Sequence, residues 1–227
     1  MLILQFQDDP LFVISVIFTA VFSITLHELA HGWTAIRFGD RTPIELERMT
    51  LNPVVHMGPF AIALLLTTGM AFGSMPINRS RLRGRHADAV VSVAGPAMNL
   101  LLAIIALTGL GIWMRMTGVW GDLPADARFQ ANTQQFLWLF GLTNVALVIL
   151  NLLPIPPLDG SHIVASFHGG YRRLVSQFAN PAIFILGLLV LLVMFRAVDL
   201  GIFDLARSGC LPYIELLSGL DLYVRDY

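Results

Sequence analysis

The sequence predicts an all-α polytopic membrane protein: about four transmembrane helices, one re-entrant segment, with five crossings as the alternative, and a third helix broken by proline. Three observations carry this. The chain has 227 residues, of which 56% are hydrophobic and only 13% charged, with a mean hydropathy of +0.73; soluble domains carry about a quarter charged residues. Its apolar runs are long enough to cross a bilayer. Arginines gather in two of the connections between those runs, as the positive-inside bias requires of cytoplasmic loops. All 14 basic residues are arginine and the net charge is −1, so the totals indicate no nucleic-acid partner. Cys210 is the only cysteine, which excludes a disulfide framework or a cysteine metal site.

Span one is predicted from about Leu11 to Phe38. Pro10 suits a first helical turn, and Asp8 and Asp9 sit where the helix dipole favours negative charge. The residues before it lack a basic segment and a small-residue cleavage site, so the run reads as a retained helix. Near its inner end lies His27-Glu28-Leu29-Ala30-His31. Four residues apart on a helix, His27 and His31 share one face and can bind one tetrahedral zinc. Glu28 is rotated away from both and can act as general base. Ionisable groups at membrane depth are costly, which favours function over accident.

Residues 39–56 form a mixed-charge connection ending in Thr50-Leu51-Asn52-Pro53-Val54-Val55-His56. The apolar stretch Met57–Phe72 is short for a span and is punctuated by Gly58-Pro59 and Gly69. Arg37, Arg41 and Arg48 precede it, and Arg79, Arg81, Arg83 and Arg85 follow it. A re-entrant segment, an extended hairpin being one form, keeps both basic loops on the cytoplasmic side. Span two, about Asp88 to Trp113, contains Ala94-Gly95-Pro96-Ala97-Met98-Asn99. Gly95 reads as a packing notch, and the amide of Asn99 needs a partner.

Residues 114–133 are charge-balanced and suit an exterior loop. Span three starts near Gln134 and reaches Asn151-Leu152-Leu153-Pro154-Ile155-Pro156-Pro157-Leu158-Asp159-Gly160-Ser161-His162, whose prolines must break it before a short helix over about 160–168. Arg172 and Arg173 mark another inner loop, and Pro181–Phe195 begins the last span, extending to about residue 200. The tail carries five acids against three arginines and suits the exterior.

Catalytic zinc takes three protein ligands, and H-E-x-x-H supplies two. Asp159 is a candidate third ligand, or else an N-cap for the helix after it. His162 competes for the same place, and His56 could line the cleft. Asn151 could donate to an oxyanion or make a helix–helix hydrogen bond. Two other function classes, a metal-dependent transporter or channel and a silent membrane scaffold, explain Glu28 less well.

In this order, His27–His31, Thr50-Leu51-Asn52-Pro53, the 94–99 segment and the 151–160 segment resemble the site-2 protease family of intramembrane zinc metalloproteases. The resemblance spans about residues 11–168 and is to the minimal bacterial subgroup without PDZ or CBS domains. Ser74-Met75-Pro76-Ile77-Asn78 stands where relatives commonly carry Lys-Pro-Val-Pro-Val-Asn. The resemblance implies zinc, one per chain, on His27, His31 and Asp159, with Glu28 as general base and Asn151 holding substrate or oxyanion. It implies a transmembrane protein as substrate and a bacterial cytoplasmic (inner) membrane as location. The expected organisation is one membrane-embedded domain over 1–227, with a catalytic core at 11–168 and a C-terminal span and exterior tail at 169–227.

Overall fold

The structure is a computed structural model describing residues 9–118, 127–178, 180, 182–183, 186–187, 189–190, 201–220 and 222. All regular elements among them are helical. Three helices are long and apolar enough to cross a membrane: α1 (Pro10–Arg37), α4 (Ala87–Thr117) and α5 (Arg128–Leu152). Between and after them come α2 (Thr42–Glu45), α3 (Pro53–Thr68), α6 (Asp159–Phe167), α7 (Gly169–Gln177) and α8 (Ile202–Ser218). Most of the predicted last span, Pro181 to about residue 200, lies outside the described residues, as do Asp199, Asp221 and Asp226 of the tail.

The helix starts follow local chemistry. Asp9 caps α1 by accepting the Phe12 N–H, with Pro10 at the first helical position. Asn52 and Pro53 repeat that arrangement for α3, where Asn52 accepts the Val54 N–H. The stretch after it is helical over 16 residues, in two pieces, and not the extended hairpin considered from sequence. Gly58, at φ 67° and ψ 169°, breaks it, and Pro59 starts the helix again with its fixed φ. Gly69, in the left-handed region, ends α3.

The long helix α4 is the centre of the fold and packs on α1, α5, α6 and α8. On its C-terminal half Leu107, Leu110 and Met114 meet Cys210 and Ile214 of α8, and Thr108 is hydrogen-bonded to Tyr213 at 2.8 Å. The segment expected only as an exterior tail is therefore helical and packed over 202–218. The α1–α5 contact is aromatic, with Phe18 against Phe136 and Phe22 against Phe140. Helix α3 lays Met57, Ala61 and Leu65 against Ile24 of α1.

Residues 69–78 leave α3 without helical structure and run back along α1. Two bonds hold this run, one at its middle and one at its end. Ser74 N–H donates to His56 O at 3.0 Å, and Asn78 N–H donates to Asp40 Oδ2 at 2.6 Å. Asp40 is fully buried and its other oxygen accepts from the Thr42 N–H and hydroxyl. Burial raises the Asp40 pKa, but these bonds from Thr42 and Asn78, together with the Arg81 charge, hold it below the usual carboxylate range.

Candidate metal centre

Three elements meet at the C-terminal half of α1. His27 and His31 project from α1 toward α4, as their four-residue spacing requires. Asp159 is the first residue of α6, beyond the break at 154–157. Its side chain is not the N-cap; Leu158 holds that position without a side-chain bond. Gly160 allows the approach, because a Cβ there would overlap the Leu152 and Leu153 carbonyls at the end of α5. The chain thereby turns back tightly and aims the Asp159 carboxylate at the two imidazoles.

The donor atoms lie close to one another. His27 Nε2 is 3.0 Å from His31 Nε2, and Asp159 Oδ2 is 3.1 Å from the first and 3.3 Å from the second. A tetrahedral zinc with bonds of about 2.0 Å places its ligands roughly 3.3 Å apart. The triangle has that size. His27, His31 and Asp159 are the group among the described residues whose donor atoms can hold one ion.

Proton positions strengthen the fit. His31 Nδ1 is 2.7 Å from the Val91 carbonyl, which can only accept, so the ring carries its proton on Nδ1. Asn144 donates through Nδ2 to Phe140 O and to Ser23 Oγ, which turns its Oδ1 toward Asn99 Nδ2. Asn99 must then present Oδ1 to His27 Nδ1, 2.5 Å away, and that nitrogen also carries the proton. In the neutral rings both Nε2 atoms are left with bare lone pairs, facing a carboxylate oxygen. Three acceptors within 3.3 Å repel one another unless a cation lies among them.

Gly95 of α4 closes one side of the site. A Cβ there would sit 2.5 Å from His27 Nε2 and overlap His31 Nε2. Sequence reading treated it as a packing notch; the groups it admits are the two metal-ligand candidates. Opposite, a Cβ on Gly73 would come within 2.8 Å of Glu28 Oε1. The 69–78 run therefore passes directly over the Glu28 carboxylate.

A cavity of ≈ 270 Å³ opens on this site, lined by His27, Glu28, His31, Asn151 and Asp159. His162 also lines it but stands outside the donor triangle. His56 does not line it. That ring is buried and donates from Nε2 to Thr50 O at 2.7 Å, fastening the connection ahead of α3. Asn144 and Arg79 were not singled out from sequence as site residues. Asn144 lies seven residues before Asn151, two turns away on the same helix face, and that spacing was the available signal.

The model of Peptidase family M50 matches residues 15–194. YwhC of Bacillus subtilis, which carries the name of a zinc metalloprotease, is 36% identical over 182 residues, 79% of this chain and 78% of YwhC. Rip2 of Mycolicibacterium smegmatis, named likewise, is 34% identical over 145 residues, 61% of this chain; the match covers about half of Rip2, 51%. A protein of Synechocystis, sll0528, is 26% identical over 144 residues, 63% of this chain and 28% of its own. No solved structure matches. The family is the one that the His27, Asn99 and Asp159 segments resemble: the chain belongs to Peptidase family M50, the site-2 proteases.

Proposed function

We propose that this chain is an intramembrane zinc metalloprotease that hydrolyses a peptide bond within or near a transmembrane segment of a membrane-protein substrate. The observation that supports it best is the converging triangle of His27, His31 and Asp159 donors beside Glu28, on a helix long and apolar enough to span. The relatives' zinc-metalloprotease names agree with the donor chemistry.

His27, His31 and Asp159 would hold the ion. When bound there, zinc would polarise the scissile carbonyl and acidify water. Glu28, in the same cavity, accepts the proton of the attacking water and passes it to the leaving amine. Asn151 lines the cavity on the α5 side, and its amide donates to the oxygen that becomes negative as the carbonyl is attacked. A transmembrane substrate must unwind before attack, because its helix already uses its backbone groups. The non-helical run 70–77 borders the cavity and offers a backbone edge to the unwound strand. In this reading α3 dips into the bilayer without crossing, and the basic loops face the cytoplasm of a bacterial inner membrane.

The test is Glu28→Gln in purified protein given candidate transmembrane substrates, with products mapped by mass. Cleavage should fall by about two or more orders of magnitude while zinc content stays at the wild-type level. Cleavage at the wild-type rate would refute the mechanism even with zinc present.

A further inference from the structure

A second cavity, ≈ 980 Å³, lies at the Arg-rich end of the molecule. Ile77, Arg79, Pro157 and His162 line both it and the catalytic cavity, so the two chambers share a wall. Among the described residues its lining holds three arginines, Arg79, Arg85 and Arg172, against one carboxylate, Asp88. These cations have different duties. Arg172 is occupied by the carbonyls of Ala165 and Ser166 at the end of α6, at 3.1 and 3.2 Å. Arg85 is exposed. Arg79 alone of the three reaches both chambers, and it is paired with Asp88. Burial pushes the Arg79 guanidinium down to about 10 against the pull of Asp159, so it keeps its charge near neutral pH.

Hydrolysis turns a neutral amide into two charged ends. The C–N bond breaks, a C–O bond forms from water, and the water's protons leave a carboxylate on one fragment and an ammonium on the other. The new carboxylate has the chemistry of Asp159 and competes for the same ion, so a second cation nearby favours its departure. Arg79 stands on the Asp159 and His162 side of the cavity, facing the outer chamber.

We propose that the outer cavity is the exit chamber for the product with the new C terminus, and that Arg79 receives its α-carboxylate. Between turnovers Asp88 holds the guanidinium; the product carboxylate replaces Asp88 as its partner. The inference rests on the proteolytic reading of the site and assigns a ligand class, a peptide ending in a free carboxylate, to a chamber that does no chemistry.

The experiment measures binding without cleavage, in full-length, zinc-loaded protein carrying Glu28→Gln. The probes are acetyl-Leu-Ala-Leu-Ala-Leu with a free C-terminal carboxylate and the same peptide as its carboxamide, titrated in detergent with zinc content checked in each variant. The carboxylate should bind more tightly, and Arg79→Gln should cut that preference roughly tenfold or more, the scale of one charge-assisted bond. Arg79→Lys should keep most of it, and Asp88→Asn, which removes the competitor, should increase it. A preference unchanged by Arg79→Gln, or lowered by Asp88→Asn, overturns the assignment. Inorganic phosphate that displaces the peptide as well as the free peptide does would overturn the peptide class. Failure of the wild type to cleave any substrate would count against the protease alone, since these affinities are read without turnover.

Discussion

Gly95→Ala tests the metal centre with a single methyl group. In most helix interiors the change would stabilise, by about 1 kcal/mol. Here the new Cβ would lie 2.5 Å from His27 Nε2, where ordinary contact begins at 3.4 Å. The rings must therefore retreat by about 0.9 Å, whereas zinc–ligand distances tolerate about 0.2 Å. Retreat is resisted, because His27 Nδ1 is tied to Asn99 and His31 Nδ1 to Val91, both on α4 with Gly95. The methyl pushes the rings off the helix that holds them. Zinc should fall from about one per chain to well below that, and cleavage should go with it. The fold should persist: with metal chelated from both proteins, the melting temperatures should differ by no more than about 4 °C, the size of ~1 kcal/mol in a chain this long. A variant with full zinc and wild-type activity would refute the geometry, and one unfolded even without metal would show that Gly95 serves packing alone.

Asn99→Leu removes the acceptor that sets the His27 tautomer, and zinc affinity measured by chelator competition should fall about 10- to 100-fold; an unchanged affinity would remove Asn99 from the site. Asp159→Ala should lose zinc while His162→Ala retains it, because only Asp159 belongs to the donor triangle, and the reverse result would exchange their roles. The depressed Asp40 pKa means that its contribution is fully present above the ordinary value of 3.8 and is lost as pH falls below it. The protection of amides 70–78 against hydrogen exchange, taken relative to the intrinsic rate at each pH, should therefore fall in acid, whereas Asp40→Asn should show low protection already at neutral pH with little further change on acidification.

Much of the fold could be read locally. The apolar runs marked α1, α4 and α5, and the prolines at 154–157 marked the break before α6. His27 and His31 were legible because both lie on one helix turn. Asp159 was legible as a candidate only, because its distance from them depends on how α6 folds back. The form of α3 was misjudged because Gly58-Pro59 reads as a breaker, yet Pro59 can also begin a helix. Helix α8 was overlooked although Ile202, Ala206, Cys210 and Ile214 recur every four residues; the acids around them drew attention to solvent instead. Gly95 and Gly73 could not be assigned from sequence, since what they admit comes from α1, and their own neighbours carry no sign of it.

The buried polar chain explains why α5 must sit where it does. Ser23, His27, Asn99 and Asn144 are all buried, and in lipid-depth surroundings each polar atom needs a partner. Donation runs one way along the chain: His27 gives to Asn99, Asn99 gives to Asn144, and Asn144 gives to Ser23 and Phe140. Each step fixes the next, so the tautomer of His27 on α1 depends on an amide of α5. That amide is two turns from Asn151, on the same face of the same helix. The contact that leaves His27 Nε2 bare therefore also turns Asn151 into the cavity. A rotation of α5 large enough to carry Asn151 away would pull Asn144 from Asn99 and release the imidazole. The candidate ligand His27 and the candidate oxyanion donor Asn151 are set by one network, and neither can be moved alone.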